Sequence, residues 1–175
     1  MPSPAIRMTA NTEAYKLGAA MLFLAVGVIL TALAFEYIGN YIPCPLCLQQ
    51  RYAYYAGIPL LFGALILLSA EERHWASLIF LAVSLFFLAN AGLGVYQAGA
   101  EWKLWQGPST CAVAQPISTS AGDLFKNLPA TNVVRCDQAP WHFLGLSFAG
   151  WNVVFSLAMF AGCLRAALSS APENR

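Results

Sequence analysis

Four long runs of this chain contain no Asp, Glu, Lys or Arg, and they constrain the fold more than any other feature. Runs 17–35 and 52–70 hold 19 residues each, run 75–100 holds 26 and run 143–164 holds 22. A helix needs about 20 apolar residues to cross a hydrocarbon layer of about 30 Å. It also satisfies its own backbone donors and acceptors where no water is present. With 59% hydrophobic and 10% charged residues, against about 45–50% and about 25% in soluble domains, the chain has more apolar surface than a globule of its size can hide. The same figures exclude a disordered chain, a collagen-like fibre and a basic nucleic-acid binder. A net charge of +1 points to no acidic or basic partner. The reading is an all-α integral membrane protein, a four-transmembrane-helix bundle forming one domain over 1–175. Its spans lie near 17–35, 52–70, 75–98 and 143–164. Pro59 should kink the second span, because a mid-helix proline removes one backbone hydrogen bond and crowds the preceding turn.

Ala32-Leu33-Ala34 imitates a signal-peptide cleavage site. The apolar run before it is longer than a usual h-region, and the leading tail is weakly basic, so the first run reads as a retained span. Four spans place both termini on one face, together with the short connection Glu71-Glu72-Arg73-His74. Two larger loops, 36–51 and 99–142, share the other face. Positive residues split five against four: Arg7, Lys16, Arg73, Arg165 and Arg175 on the terminal face; Arg51, Lys103, Lys126 and Arg135 on the loop face. This is a weak vote for cytoplasmic termini. Tyr37, Tyr41, Tyr52, Tyr54, Tyr55, Tyr96, Trp102, Trp105 and Trp141 gather near the two large loops. Most read as an interfacial aromatic belt; some could floor a site for a flat cofactor. Within the long loop, residues 120–126 can form a short amphipathic surface helix.

Of five cysteines, four fall in the two loops of one face: Cys44 and Cys47 in the first, Cys111 and Cys136 in the second. Cys163, near the far end of the fourth span, reads as a small apolar core residue. Cys44-Pro45-Leu46-Cys47 is a Cys-x-x-Cys pair, a spacing that serves either redox chemistry or a metal. Cys111 and Cys136, with 24 residues between them, read by themselves as a structural disulfide. Together with the first pair they could form a four-thiolate metal site, although the second pair lacks knuckle spacing. Two dithiols on one face also suggest thiol–disulfide exchange between them, and four cysteines allow three connectivities. Arg51, four residues after Cys47, can share its helix face, where a guanidinium would favour a thiolate and attract an oxygen-bearing ligand. It could equally be a snorkelling anchor. Glu36 and His142 read as interfacial.

The run from Pro43 to Tyr52, PCPLCLQQRY, resembles the signature of the disulfide bond formation protein B family. So do the segments WQGPSTC, ending at Cys111, and RCDQAPW, around Cys136, and FLGLS at 143–147. One departure concerns a histidine that some members carry near the start of the long loop, close to the quinone. Here that stretch reads Tyr96-Gln97-Ala98-Gly99, which puts a protonating role at this position in doubt. The resemblance implies a bacterial inner-membrane enzyme with cytoplasmic termini and periplasmic redox loops. Such an enzyme reoxidises a thioredoxin-like, DsbA-type disulfide oxidase and passes electrons to ubiquinone or menaquinone. It further implies redox-active disulfides Cys44–Cys47 and Cys111–Cys136, with Cys111 meeting the partner, Cys136 exchanging with Cys44, and Cys47 beside the quinone near Arg51. A vitamin K epoxide reductase-like enzyme is an alternative, but in that family the Cys-x-x-Cys comes late in the chain. A four-thiolate metal-binding protein and a bundle with two structural disulfides are the others.

Overall fold

The structure, a computed structural model, describes residues 4–107, 139 and 141–171, with side chains from residue 12 onward. Four long helices dominate: α1 (Pro4–Tyr37), α2 (Pro45–Ser69), α3 (Arg73–Glu101) and α4 (Phe148–Ser170). Each is long and apolar enough to cross a membrane, α1 over Thr12–Tyr37. α1 packs on α2 and α4, α3 packs on the same two, and α2 and α4 lie diagonally with little contact. The chain therefore forms the four-helix membrane bundle that its charge-free runs predict. Large apolar side chains such as Phe23 and Leu168 stay exposed on the outside, as a lipid-facing surface requires.

Several boundaries differ from the charge-free runs: α1 begins at Pro4 rather than 17, α4 ends at Ser170 rather than 164, and two helix starts at the loop end are displaced. α2 starts at Pro45, not near residue 52. Proline suits the first turn of a helix because its missing N–H is not needed there, and Cys44 caps the turn. Cys47 and Arg51 thereby join the helix. The fourth helix starts at Phe148, not 143. The residues before it form a hairpin, β1 (His142–Phe143) paired antiparallel with β2 (Leu146–Ser147). Leu144 and Gly145 turn it with φ of 51° and 79°, the doubly positive φ of a tight hairpin turn. Ser147 then caps α4 by accepting from the Gly150 N–H at 3.2 Å. Helix α2 continues through Pro59.

The core is apolar along most of its length, with Leu61, Phe80, Val83, Phe87, Met159 and Cys163 fully buried. Small residues bring the helices close, the pattern expected where lipid is the solvent. A Cβ on Gly162 would stand 2.3 Å from the Met21 sulfur. One neutral polar cluster crosses the middle. Tyr54 donates to Asn152 Oδ1 at 3.0 Å, and Asn90 Nδ2 donates to Asn152 Oδ1 at 3.3 Å and Ser156 Oγ at 3.0 Å. Three helices are tied together there. At the end near the termini, Ser77 Oγ and Arg73 donate to the Ala167 and Ser169 carbonyls of α4.

Candidate functional site

The opposite end of the bundle carries the reactive side chains. Cys44 is extended, with φ −73° and ψ 161°, and its sulfur accepts the Cys47 N–H at 3.2 Å. The Cys-Pro-x-Cys spacing thus becomes cap, first residue and third residue of α2, which brings both side chains to one corner. The two sulfurs share a hydrogen bond at 2.7 Å and are free thiols. Donating to Cys47, and then burial, hold the Cys44 thiol well above its usual pKa. The exposed N–H groups of a helix start favour negative charge close by, so the first turn of α2 suits a Cys47 thiolate.

The neighbour that completes the pair comes from α3. Gln97 Nε2 lies 3.3 Å from the Cys47 sulfur and 3.6 Å from that of Cys44. Gln97 Oε1 accepts from Gln50 Nε2 at 2.8 Å. Glu101, one turn on, takes Gln97 Nε2 on Oε1 at 3.3 Å. The start of the long loop folds back over this turn of α3. Trp105 donates to the Tyr96 carbonyl at 2.8 Å and stacks on the Tyr96 ring. Its indole lies on Gly99, where a Cβ would come within 2.0 Å of the ring; only glycine lets it lie so close.

Arg51 pairs with Glu36 in the last turn of α1. A carboxylate at a helix C-terminus is disfavoured by the helix dipole, and the guanidinium offsets that. Glu36, expected at the interface, lies at the loop end of α1 and gains a partner there: the two helices place it against the arginine. The polar group on Cys47 is Gln97, while Arg51 faces α1.

Both sulfurs, Arg51, Glu36, Gln97 and Glu101 line one cavity of about 1080 Å³. Its wall continues between α1 and α4 past Phe35, Trp141 and Phe148, whose rings lie 4.9 to 5.2 Å apart between centroids. Trp141 and Tyr41, expected in a belt, line this cavity, and so does Tyr54, which is otherwise buried in the bundle. Tyr37, Tyr52 and Trp102 are exposed, as the belt requires. Cys111, Cys136 and residues 120–126 lie outside the described residues.

A family model described as Disulfide bond formation protein DsbB matches residues 15–166. The chain belongs to the DsbB family. Membership implies a disulfide-forming oxidoreductase in the membrane. Among its relatives is the disulfide bond formation protein B of Methylococcus capsulatus, 32% identical over 149 residues, covering 80% of this chain and 85% of the relative. That of Marinobacter nauticus is 28% identical, covering 77% and 80%. An uncharacterized Rickettsia prowazekii protein is 24% identical, covering 88% and 90%. No solved structure matches significantly.

Sequence reading of this DsbB family member singled out Cys44, Cys47 and Arg51, and the bundle brings all three to one cavity. It missed Gln50, Glu101 and the Glu36 partnership, and it saw Gln97 only as a departure. One signal was present: Gln97 is an amide inside a 26-residue run without charge, and polar side chains in a span are seldom without a role.

Proposed function

We propose that this protein is a membrane protein-dithiol:quinone oxidoreductase that reoxidises a periplasmic, thioredoxin-like disulfide oxidase of the DsbA type. The observation that carries the reading is the close thiol pair of Cys44 and Cys47 opening on a large, aromatic-walled cavity that also holds a guanidinium. A quinone is flat and apolar with two polar oxygens. The cavity fits such a group: it has ring-lined walls, volume to spare for a drug-sized ligand, and in Arg51 a donor fork that Glu36 does not exhaust. When bound, ubiquinone or menaquinone supplies the acceptor for two electrons and two protons.

The residues divide the work. Cys111, paired with Cys136, meets the reduced partner; the partner's thiolate attacks the Cys111 sulfur and Cys136 leaves as a thiolate. A second partner thiolate displaces Cys111, so the partner leaves oxidised and the loop pair reduced. Cys136 then attacks Cys44 of the Cys44–Cys47 disulfide, and Cys47 is released as a thiolate. Attack by Cys111 on Cys136 restores the loop disulfide and leaves Cys44 and Cys47 as the dithiol. Each exchange conserves electrons, moving one disulfide from place to place. Reclosing Cys44 to Cys47 would give up two electrons and two protons, for which a quinone held in the cavity would be the acceptor. Arg51 orients a carbonyl-type oxygen and balances negative charge beside Cys47. Exchange with a periplasmic partner puts the two loops on the periplasmic face of the bacterial inner membrane and the termini in the cytoplasm.

The test combines purified protein, a reduced DsbA-type partner and a short-chain ubiquinone, followed by the quinone's ultraviolet absorbance. Quinol should form in step with partner disulfide. An absence of quinol, with all four loop cysteines intact, would overturn the reading. Replacing Arg51 should slow quinone reduction while the mixed disulfide with the partner still forms.

A further inference from the structure

Gln50 and Gln97 are 5% and 3% exposed, and a buried carboxamide must find partners for both its ends. The two ends of Gln97 are not interchangeable here. Gln50 Nε2 donates to Oε1 at 2.8 Å; a flipped amide would set N–H against N–H at that point. The Gln50 and Glu101 contacts together therefore turn the NH₂ end of Gln97 towards the sulfurs. That group has two hydrogens and three acceptors within reach: Glu101 Oε1 at 3.3 Å, Cys47 Sγ at 3.3 Å and Cys44 Sγ at 3.6 Å. Glu101 takes one hydrogen, and the shorter distance gives the other to Cys47. Cys44 in turn shares its proton with Cys47 at 2.7 Å.

We propose that Gln97 is a positioning residue that selects Cys47 as the sulfur carrying the thiolate, with Gln50 locking its amide in the donating orientation. A neutral N–H donor strengthens when its acceptor becomes an anion, so the contact favours ionised Cys47 over ionised Cys44. The charged groups around the pair are Glu101 on α3 and the Glu36–Arg51 ion pair joining α1 and α2. Glu101 opposes a thiolate, and its Oε2 is buried without a hydrogen-bond partner among the described residues. Gln97 spends one N–H on that carboxylate and the other on the sulfur, so a single amide bridges the two anions. Because an amide does not titrate, its two N–H groups remain available at every working pH. The inference rests on the reading of Cys44 and Cys47 as the redox pair.

The test is made on the full-length, fully reduced protein in detergent, without quinone or partner. Thiolate absorbance is titrated against pH, and the rate of Cys47 alkylation is measured with mass-spectrometric assignment of the labelled cysteine. Gln97→Met keeps the length and removes the donor. Its Cys47 titration should move up by about one pH unit, and alkylation at neutral pH should slow about tenfold. Gln97→Glu, the same shape with an acceptor in place of the donor, should move it further. Gln50→Leu leaves Gln97 held by Glu101 alone, loosens its orientation and should slow alkylation about threefold. Unshifted titrations in folded Gln97 variants overturn the proposal. So does a lowered melting temperature with no shift in Gln50→Leu, since that is what a purely structural role would produce. An unmodified protein that makes no quinol sinks the preceding reading instead and leaves these titrations to stand by themselves.

Discussion

The bundle contains two buried polar clusters built from similar parts. One, at mid-height, joins Tyr54, Asn90, Asn152 and Ser156. The other, at the loop end, joins Cys44, Cys47, Gln50, Gln97 and Glu101. Each uses carboxamides to join helices, α2 and α3 to α4 in the middle cluster and α2 to α3 at the loop end. The middle cluster holds only neutral hydroxyls and amides, so its bonds tie helices together. The loop-end cluster contains two thiols and a carboxylate, and there the direction in which an amide points decides where negative charge can rest. The same side-chain chemistry is glue in one place and an electrostatic selector in the other. The difference lies in what it faces.

Several substitutions would break or sharpen this contrast. Replacing Cys47 or Cys44 with serine should lower quinone reduction at least about 1,000-fold, the scale on which loss of a nucleophile acts, with helicity by circular dichroism unchanged. Arg51→Met should raise the quinone KM or lower kcat by about 10- to 100-fold, the worth of a hydrogen bond to a charged group. An unchanged steady-state profile would take Arg51 out of the site. Thiol alkylation offers a third check. Because the Cys44 pKa is raised, that thiol stays protonated up to and beyond pH of about 8.5, where a free cysteine is half ionised. Cys44 should therefore label several-fold more slowly than a model thiol at that pH, and equal rates would contradict the geometry.

In the middle cluster the expected effects are on stability. Asn90→Ala should cost about 1 kcal/mol in the membrane or in detergent, near the range measured for interhelical hydrogen bonds. Turnover per folded molecule should remain within about twofold, less than 0.5 kcal/mol of barrier. A large loss of turnover would show that the two clusters are coupled. The smallest effect belongs to Cys163, fully buried in the core. Cys163→Ala should leave disulfide exchange untouched and shift the thermal midpoint only slightly, read by thermal unfolding alongside the turnover assay.

Much of this was legible along the chain. The four spans follow from stretches without charge, and the place of Cys44 and Cys47 between the first two follows from the same count. Pro45 after Cys44 also carried the start of α2, since proline at the first helical position is a local signal; run 52–70 misses it because Gln49, Gln50 and Arg51 interrupt the apolar pattern. The hairpin at 142–147 was hidden for the opposite reason: its residues are apolar enough to extend the fourth span. Glu36 illustrates a third limit. It sits one residue beyond an apolar run, as an interfacial residue would, and nothing local shows that an arginine 15 positions later will turn towards it.

The amino-acid order by itself determined that this chain crosses a membrane four times, that a Cys-Pro-x-Cys pair lies just before the second apolar run, and that it shares the motifs of the DsbB family. These are properties of composition and short spacing, and they need no knowledge of neighbours. The tertiary structure decided which side chains meet: Gln97 with sulfurs 50 and 53 positions away, Glu36 with Arg51, and Trp141 with Phe148 along a cavity wall. The reason is rotational. Each helix is apolar on nearly all sides, so its sequence does not say which face turns inward. That choice is made where small residues allow close approach and buried polar groups must find partners.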